Sequence, residues 1–319
     1  MFTTSAPDYT IRAELWSSQL KDVLLDETMA MKYVDWLTEF PDGDTFTIPS
    51  VGEAEVDNYV EDTAVEFRSM DTGEFQFNIN KYKSSAHYIT NKMKQDSFYA
   101  AKIQSEFVPK QHRAIMVALE TDILALANTI QTTSAVNAIN GVDHRWIGSG
   151  TNETLALVDF AKARLALKVA NVPMTNLVSI VDPSVEYAMN TLTNLVNVSY
   201  NPKWEGIVSS GIASGMQFLV NIYGFDVYTS NYLPTMNETI TATGGSARTT
   251  AAGKANLFFS ATPGDVLPFK GAWRQQPKVD SHYNILKQRE EYVTTARYGV
   301  KGYRPENMVV VGADTDQIV

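Results

Sequence analysis

The segment Pro173-Met-Thr-Asn-Leu-Val-Ser-Ile-Val-Asp-Pro-Ser184 decides the fold class, because it joins a strand directly to a helix. Leu177 to Val181 is a short run of apolar, mostly β-branched residues, which predicts a buried strand. Asp182 can then cap the first turn of a helix, and Pro183 fits the first helical position. A strand followed at once by a capped helix predicts an α/β unit in this part of the chain.

The segments that follow extend this unit. We interpret Phe218 to Tyr223 as a second helix that is closed by Gly224, and Phe225 to Tyr228 as the next strand. Residues 239–255 are poor in large apolar side chains and predict a surface loop or flap. Residues 291–311 return to a β pattern.

Towards the N-terminus, the pattern becomes helical. Residues 154–169 predict a helix with Leu155, Val158, Leu165 and Val169 turned inward, and the three glycines of residues 141–152 predict a loop before it. Residues 96–129 predict a helix of about 50 Å, at 1.5 Å per residue. Pro109 is expected to kink or split that helix.

The first quarter of the chain combines a helix with a long β segment. Residues 11–38 carry apolar side chains at mostly helical spacing, and a Pro-Asp-Gly turn stops the pattern at residue 41. Residues 45–90 alternate like strands and predict a long hairpin or meander. Because it is polar on both sides for most of its length, and an isolated two-stranded ribbon is marginal in water, this hairpin must pack on something.

Composition describes a folded chain and excludes several classes of protein. The 319 residues are 44% hydrophobic and 19% charged, with no cysteine. No apolar run approaches the roughly 20 residues of a membrane span, and the N-terminus has no secretory pattern. The absence of cysteine excludes disulfides and thiolate metal sites and indicates a reducing compartment.

The net charge of −10 is unevenly distributed along the chain. Residues 1–80 hold 17 acidic and four basic residues, a net charge of −13, whereas residues 81–319 carry +3. Because tight DNA binding needs clustered lysine and arginine, this distribution argues against it. We expect the acidic segment either to aid solubility or to dock on a less acidic surface of another copy.

A search for catalytic patterns identifies no enzyme, cofactor site or metal site. His87, His112, His144 and His282 stand in unrelated contexts, none with metal-ligand spacing. Residues 244–254 only superficially resemble a phosphate loop, because the glycine spacing is wrong and Ala255 stands where Ser or Thr is needed. The sequence therefore predicts no catalytic residue, and an enzyme with an unrecognised site is the least favoured reading.

The order of these elements resembles the major capsid protein of tailed bacteriophages, a fold shared with encapsulin shells. Five local marks carry the resemblance across most of the chain: Ala13-Glu-Leu-Trp-Ser17, Gly43-Asp-Thr-Phe-Thr-Ile-Pro49, residues 173–184, Tyr223-Gly-Phe-Asp-Val-Tyr-Thr-Ser-Asn231 and Tyr303-Arg-Pro-Glu-Asn307. The fold class implied is α+β. It comprises an N-terminal arm, an extended β-hairpin loop, a peripheral domain with a long spine helix, and an α/β axial domain.

The resemblance also implies boundaries and partners. The arm would take residues 1–43, the extended loop 44–90, the peripheral domain 91–150 and 272–303, and the axial domain 151–271 and 304–319. The chain would form pentamers and hexamers, with the extended loop across a neighbouring subunit. The expected shell is icosahedral, encloses double-stranded DNA held by weak non-specific contact, belongs to the virion and is assembled in the host cytoplasm without a membrane. An encapsulin-like cellular compartment shell is the alternative.

Two departures from the family pattern concern the start of the arm and the lysines of the extended loop. The arm begins almost at Met1, which implies a separate scaffolding protein beside the portal and an optional cement protein. No lysine lies between Lys32 and Lys81, so the family's lysine–asparagine isopeptide has no amine on the outer loop. The residues expected at contacts between subunits are all basic: Arg68, Lys81, Lys83, Lys102, Lys110 and Arg113.

Overall fold

The computed structural model describes the backbone of residues 28–38, 45–52, 72–96, 100–130, 135–190 and 218–315, together with scattered positions between 56 and 69. The side chains of residues 96, 100–107, 190 and 218–220 are not described. No described helix is long and apolar enough to cross a membrane.

Two sheets organise the described chain. The first half contributes a short 3₁₀ turn, Ala30–Tyr33, and the following strands and helices: β1 (Val34–Leu37), β2 (Thr45–Val51), β3 (Thr72–Asn78), β4 (Lys81–Thr90), α1 (Asn91–Asp96), α2 (Ala100–Leu124), α3 (Ala127–Ile130), β5 (Ala138–Ile139), β6 (Val142–Asp143), β7 (Arg145–Ile147) and α4 (Leu157–Val169). The second half contributes β8 (Leu177–Val181), α5 (Pro183–Asn190), β9 (Phe218–Ile222), β10 (Phe225–Thr229), β11 (Thr239–Thr241), β12 (Ala247–Thr249), β13 (Gly253–Ser260), β14 (Phe269–Asn284), β15 (Arg289–Gly302) and β16 (Val309–Asp314). Two further 3₁₀ turns are Thr151–Glu153 and Pro305–Asn307.

The six-stranded sheet, in the order β7-β16-β13-β8-β10-β9, contains the predicted α/β unit. Strand β8 is buried along its whole length, and the Ser184 amide donates to the Asp182 carboxylate at 3.0 Å, as expected of a cap at the start of α5. Phe160 of α4 packs edge-on against Phe258 and Phe225, with ring centroids 5.0 and 6.4 Å apart. The strand-to-helix segment is therefore confirmed as the centre of this unit.

The four-stranded sheet has the order β1-β14-β15-β4. Helix α2 packs on one of its faces: Thr294 donates to the Gln111 side chain at 2.8 Å, and Tyr298 donates to Asp122 at 2.8 Å. A long helix is confirmed within the predicted range 96–129, but α2 covers Ala100–Leu124 and is separated from α3 at residues 125–126. It runs through Pro109 without being split. The α+β fold class is confirmed as well.

Several local expectations are wrong, because strand pairing prevailed over the helical spacing of the sequence. Residues 34–37 of the expected 11–38 helix form β1, which lies parallel to β14, while 11–27 lie outside the described residues. Trp36 stacks on Trp273 at 5.2 Å there. Residues 218–222 form β9 rather than a helix, because they pair antiparallel with β10 across the Tyr223-Gly224 turn.

Helix α4 forms where expected but turns a different face inward. Val158 and Leu165 are exposed, whereas Phe160, Ala163, Ala166 and Leu167 are buried. The helix carries apolar residues on both sides, so spacing alone could not select the face that meets the sheet. The aromatic contacts of Phe160 made that selection.

Two expected loops contain buried structure. Within 141–152, residues Arg145 to Ile147 form β7, a wholly buried strand parallel to β16. Within 239–255, β11 and β12 form a small hairpin whose Ile240 is buried, and β13 begins at Gly253. The glycines of both segments obscured short runs of strand.

Arg145 joins three parts of this fold. Its guanidinium is fully buried, donates to both carboxylate oxygens of Glu238 at 2.8 and 3.2 Å, and donates to the carbonyl of Ala127 at 3.3 Å and the side chain of Asn128 at 3.2 Å. Strand β7, the loop before β11 and the start of α3 therefore meet at one side chain.

We predict that Arg145→Leu lowers the free energy of unfolding by about 3–5 kcal/mol, because Glu238 would keep a buried charge without its cation. Arg248→Leu is the matched control, since the pair of Arg248 with Glu153 at 3.7 Å is partly exposed and is expected to be worth about 1 kcal/mol or less. Chemical denaturation of unassembled protein measures both. Equal losses in the two variants would contradict a special role for Arg145.

Candidate functional site

No group of three or more His, Cys, Asp or Glu side chains among the described residues could hold a metal ion. The four histidines lie apart: His87 contacts Gln111 at 2.8 Å, His112 and His282 are exposed, and His144 is buried. The candidate site is therefore a surface, and its main feature is the ribbon formed by β2 and β3.

The foot of the ribbon is fixed to its own chain. Strands β2 and β3 pair from Thr45–Asn78 to Val51–Thr72, and Phe77 is fully buried beside Ile79 and Ala272. The Lys301 ammonium donates to the carbonyl of Gln76 at 2.7 Å. The expectation that this hairpin needs support is thus met, at its foot, within one subunit.

An aromatic and ionic cluster supports the same foot. The ring of Tyr303 meets the ring of Phe75 edge-on at 5.0 Å and carries the Lys270 ammonium 4.0 Å above its centroid. Lys270 also binds Asp265 at 3.1 Å and Asp35 at 3.3 Å. Burial disfavours the ammonium, but the hydrogen bond to Asp265 and the two carboxylates outweigh it, so the pKa of Lys270 is raised and its charge is retained.

The outer ribbon, residues 49–73, follows the foot, and the structure describes it at 49–52, at 72–73 and at scattered positions between 56 and 69. Among these positions, Val51, Val56 and Val60 are exposed, and Val56 is 95% accessible. The segment contains seven acidic residues and one basic residue, Arg68, for a net charge of −6. Its charge suits contact with a less acidic surface.

The structure describes the side chains of four of the six predicted basic contact residues. Lys81 and Lys83 lie on β4, where both bind Asp122 of the same chain at 3.5 and 3.2 Å. Lys110 and Arg113 are exposed on α2, whose opposite side packs on the sheet. Lys102 belongs to α2 but its side chain is not described, and Arg68 lies outside the described residues.

Asp122 is the residue that sequence reasoning missed in this group. Its carboxylate accepts from the Tyr298 hydroxyl and balances the two lysines. Burial first, and Asp122 second, raise the pKa of Tyr298, so the phenol stays protonated and donates. In the sequence, the spacing of Asp122 from Gln111 and Ile115 indicates that the three residues share one face of the helix. That spacing does not indicate which strand packs against this face.

The N-terminal segment is anchored by a second acid that spacing did not reveal. The buried carboxylate of Glu120 on α2 accepts from the backbone amides of Met29 and Ala30 at 2.9–3.1 Å. These bonds hold the chain against the helix just before it enters the four-stranded sheet as β1. The segment before β1 is therefore attached to α2 at Glu120.

His144, between β6 and β7, is expected to make the stability of the folded chain depend on pH. Its side chain is buried, Nδ1 lies 3.0 Å from the carbonyl of Val142, and Nε2 has no hydrogen-bond partner. Burial lowers the pKa of His144 below its usual value near 6.5, although the Val142 carbonyl and Asp143 act in the other direction.

We predict that the folded chain loses stability as the pH falls below about 6.5, because the unfolded chain then binds a proton that buried His144 resists. The loss grows until the lowered pKa of the folded state is reached. His144→Asn, which keeps a donor near the Val142 carbonyl, should flatten the curve between about pH 7 and pH 5. His282→Asn is the exposed control. If the melting temperatures of the wild type and of the His144→Asn variant fall equally between pH 7 and pH 5, the assignment is wrong.

Comparison with known proteins identifies a family for this chain. A family model described as phage capsid protein matches residues 74–311. A search of curated protein sequences found no match. Among solved structures, the capsid structure of cyanophage P-SCSP1u is similar with a TM-score of 0.74 and 15% identity, over 95% of this chain and 93% of that one.

Two further structures are similar over nearly their whole length. The cyanophage Pam1 capsid asymmetric unit has a TM-score of 0.70 and 14% identity, over 99% of both chains. A structure from Mycobacterium phage Che8 has a TM-score of 0.67 and 16% identity, over 95% of this chain and 97% of that one. At these identities the likeness concerns the fold, while the family match covers most of the chain.

Proposed function

The chain belongs to the phage capsid protein family, and on this basis we propose how it assembles and which of its residues meet a neighbour. It is a structural major capsid protein of the virion and not an enzyme. The family match favours this function over the encapsulin-like compartment shell and the enzyme that the sequence left open. The observation that carries the assembly proposal is the outer ribbon, which is acidic, exposes Val51, Val56 and Val60, and is attached to its own chain at the foot.

We propose that copies associate as pentamers and hexamers of an icosahedral shell around double-stranded DNA. Rings arise when one surface of a copy meets a different surface of the next and the rotation closes. A protruding ribbon on one side and a receiving surface on the other would supply such a head-to-tail contact. Assembly would take place in the host cytoplasm with a separate scaffolding protein, a portal and an optional cement protein, and the packaged DNA would be held only by weak non-specific contact.

We propose the four divisions expected from the sequence: residues 1–43 as arm, 44–90 as extended loop, 91–150 with 272–303 as peripheral domain, and 151–271 with 304–319 as axial domain. The separate four-stranded and six-stranded sheets support a peripheral and an axial part, but two boundaries differ from the sheets. Strand β7, within 91–150, pairs with β16 in the six-stranded sheet, and β1, within the arm, pairs with β14 in the four-stranded sheet. Strand β4, at the end of the loop segment, pairs with β15 throughout, so the part of the loop free to reach a neighbour ends before Lys81.

We predict that deletion of residues 53–71, with β2 and β3 joined by a short turn, gives a folded chain that no longer closes into shells. The deletion spares the foot residues Phe75 and Phe77, so the melting temperature should change little. Circular dichroism checks folding and electron microscopy checks assembly. Complete particles from the shortened chain would show that the ribbon is not an assembly element.

We also propose that basic side chains on α2 contribute to contacts with acidic groups of a neighbour, with Lys102, Lys110 and Arg113 as the candidates and Arg68, Lys81 and Lys83 as further positions. Lys110 and Arg113 are exposed on the side of the helix away from its sheet. The net charge of −13 in residues 1–80 supplies the complementary acids.

For these residues we predict that the double variant Lys110→Glu, Arg113→Glu weakens assembly more at about 50 mM salt than at about 500 mM, because salt screens exposed charges. The measurement is the yield of particles by light scattering across a salt series. Lys92→Glu, Lys168→Glu, at two exposed positions outside α2, is the control for total charge. Equal loss of yield at both salt concentrations would point to misfolding instead.

A further prediction is that mature particles contain no covalent cross-links between subunits. The chain contains no cysteine, so it can form no disulfides. The outer ribbon contains one basic residue, Arg68, whose guanidinium stays protonated and is a poor nucleophile. Lys81 and Lys83 are held by Asp122 of their own chain. Boiling particles in denaturing detergent should leave one gel band near 35.4 kDa. A surviving ladder of multimers would overturn this and direct attention to Lys81 and Lys83.

A further inference from the structure

The turn between β5 and β6 contains the single Asn-Gly pair of the sequence, Asn140-Gly141. The two strands pair antiparallel up to Ile139 and Val142, so only these two residues form the turn. Asn140 has a φ of 49° and Gly141 a φ of 79°, and a type I′ hairpin turn requires positive φ at both central residues. Both residues are exposed.

An asparagine that precedes a glycine can lose its side-chain amide without an enzyme. The backbone nitrogen of the glycine attacks Cγ of the asparagine: the N–Cγ bond forms, the Cγ–Nδ2 bond breaks, and ammonia leaves with the proton of the attacking nitrogen. The resulting succinimide ring takes up one water molecule and opens to aspartate or isoaspartate, and nothing is oxidised or reduced. Glycine favours the attack because it has no Cβ to hinder it.

The surroundings of Gly141 leave its nitrogen open to this reaction. Its N–H donates to no group among the residues that the structure describes. A Cβ placed on Gly141 would meet nothing within 4 Å, so water reaches the turn freely. The attacking group is therefore neither engaged as a donor nor shielded.

The side chain of Asn140 is held by helix α4. Its Nδ2 donates to the carbonyl of Val169, the last residue of that helix, at 3.0 Å. Ring closure requires rotation about the Cα–Cβ and Cα–C bonds of Asn140. The bond to Val169 opposes the first rotation, and the pairing of β5 with β6 opposes the second. The reaction in the folded chain therefore requires local opening of the turn.

We propose that Asn140 is a site of spontaneous deamidation, and that the fold slows the reaction through the bond to Val169 and the pairing of the hairpin. The product adds one negative charge beside the C-terminal end of α4. A carboxylate has no proton to donate to the Val169 carbonyl, and it lies at the negative end of the helix dipole. Deamidation thus replaces a bond between the hairpin and α4 with a repulsion. This inference does not depend on the assembly proposed above.

Peptide mapping of the full chain by mass spectrometry measures the reaction, because a hydroxyl in place of the side-chain amino group raises the mass of the peptide. Asn152 is the matched control: it is also exposed and has a φ of 54°, but Glu153 follows it. The chain is incubated at mildly alkaline pH, where the attacking nitrogen loses its proton more readily. One sample is native and the other is unfolded in concentrated guanidinium.

In guanidinium, Asn140 should deamidate roughly tenfold faster than Asn152, because only Asn140 is followed by a residue without Cβ. In the native chain Asn140 should react roughly fivefold more slowly than in guanidinium, because the turn must open first, yet still faster than Asn152. Equal rates at the two asparagines in the native chain overturn the modification site. Equal rates at Asn140 with and without guanidinium overturn the protection by the fold.

The variant Gly141→Ala tests the role of the glycine separately from the fold. In guanidinium it should slow the deamidation of Asn140 by roughly fivefold, because a Cβ then hinders the attacking nitrogen. An unchanged rate would mean that water attacks the side chain directly, and the proposed reaction through the Gly141 nitrogen would be wrong.

The variant Asn140→Asp reproduces the aspartate product and tests its effect on the fold. Its melting temperature should lie about 1–4 °C below that of the wild type, because the Val169 carbonyl loses its donor. Asn152→Asp makes the same change of charge at an exposed side chain that has no hydrogen bond within the described part of the chain. Equal melting temperatures for the two variants would overturn the assigned effect of the modification.

Discussion

The junction of β7, α3 and the loop before β11 depends on one buried cation, Arg145. Its guanidinium donates to the carboxylate of Glu238, to the carbonyl of Ala127 and to the side chain of Asn128, and it has no exposed surface. A guanidinium presents five donors in a fixed plane, so it can hold three segments in one geometry, which a lysine could not. The position of α3 relative to the six-stranded sheet follows from this arrangement.

The neighbours of Arg145 extend the same junction. Asp143 accepts from the amide and hydroxyl of Thr243 at 2.9 and 2.6 Å, which ties the β11–β12 hairpin to the strand pair below it. Asp159 accepts from Trp146 and from the amides of Ser149 and Ala156, which closes the loop before α4. Asp143 and Arg145, both inside the predicted loop, and Asp159 of α4 thus hold this part of the fold together. Burial without water makes each bond more valuable and each missing partner more costly.

A shell protein must be stable alone and still keep surfaces for its neighbours. In the proposed assembly, one ribbon would serve both tasks. Phe77, Ile79 and Phe75 pack the foot against its own chain, while the acidic outer segment, with Val51, Val56 and Val60 exposed, would meet a neighbour.

The sequence by itself determined the elements whose pattern is local: the capped strand at 177–184, the long helix, the β character of 45–90 and the absence of catalytic motifs. It also determined the uneven distribution of charge along the chain. Only the tertiary structure decided that residues 34–37 and 218–222 are strands, because their partners lie far away in sequence or across a tight turn. It likewise decided which face of α4 is buried and that Arg145, Asp122 and Glu120 hold segments together. Such contacts depend on distance in space, which periodicity along the chain does not encode.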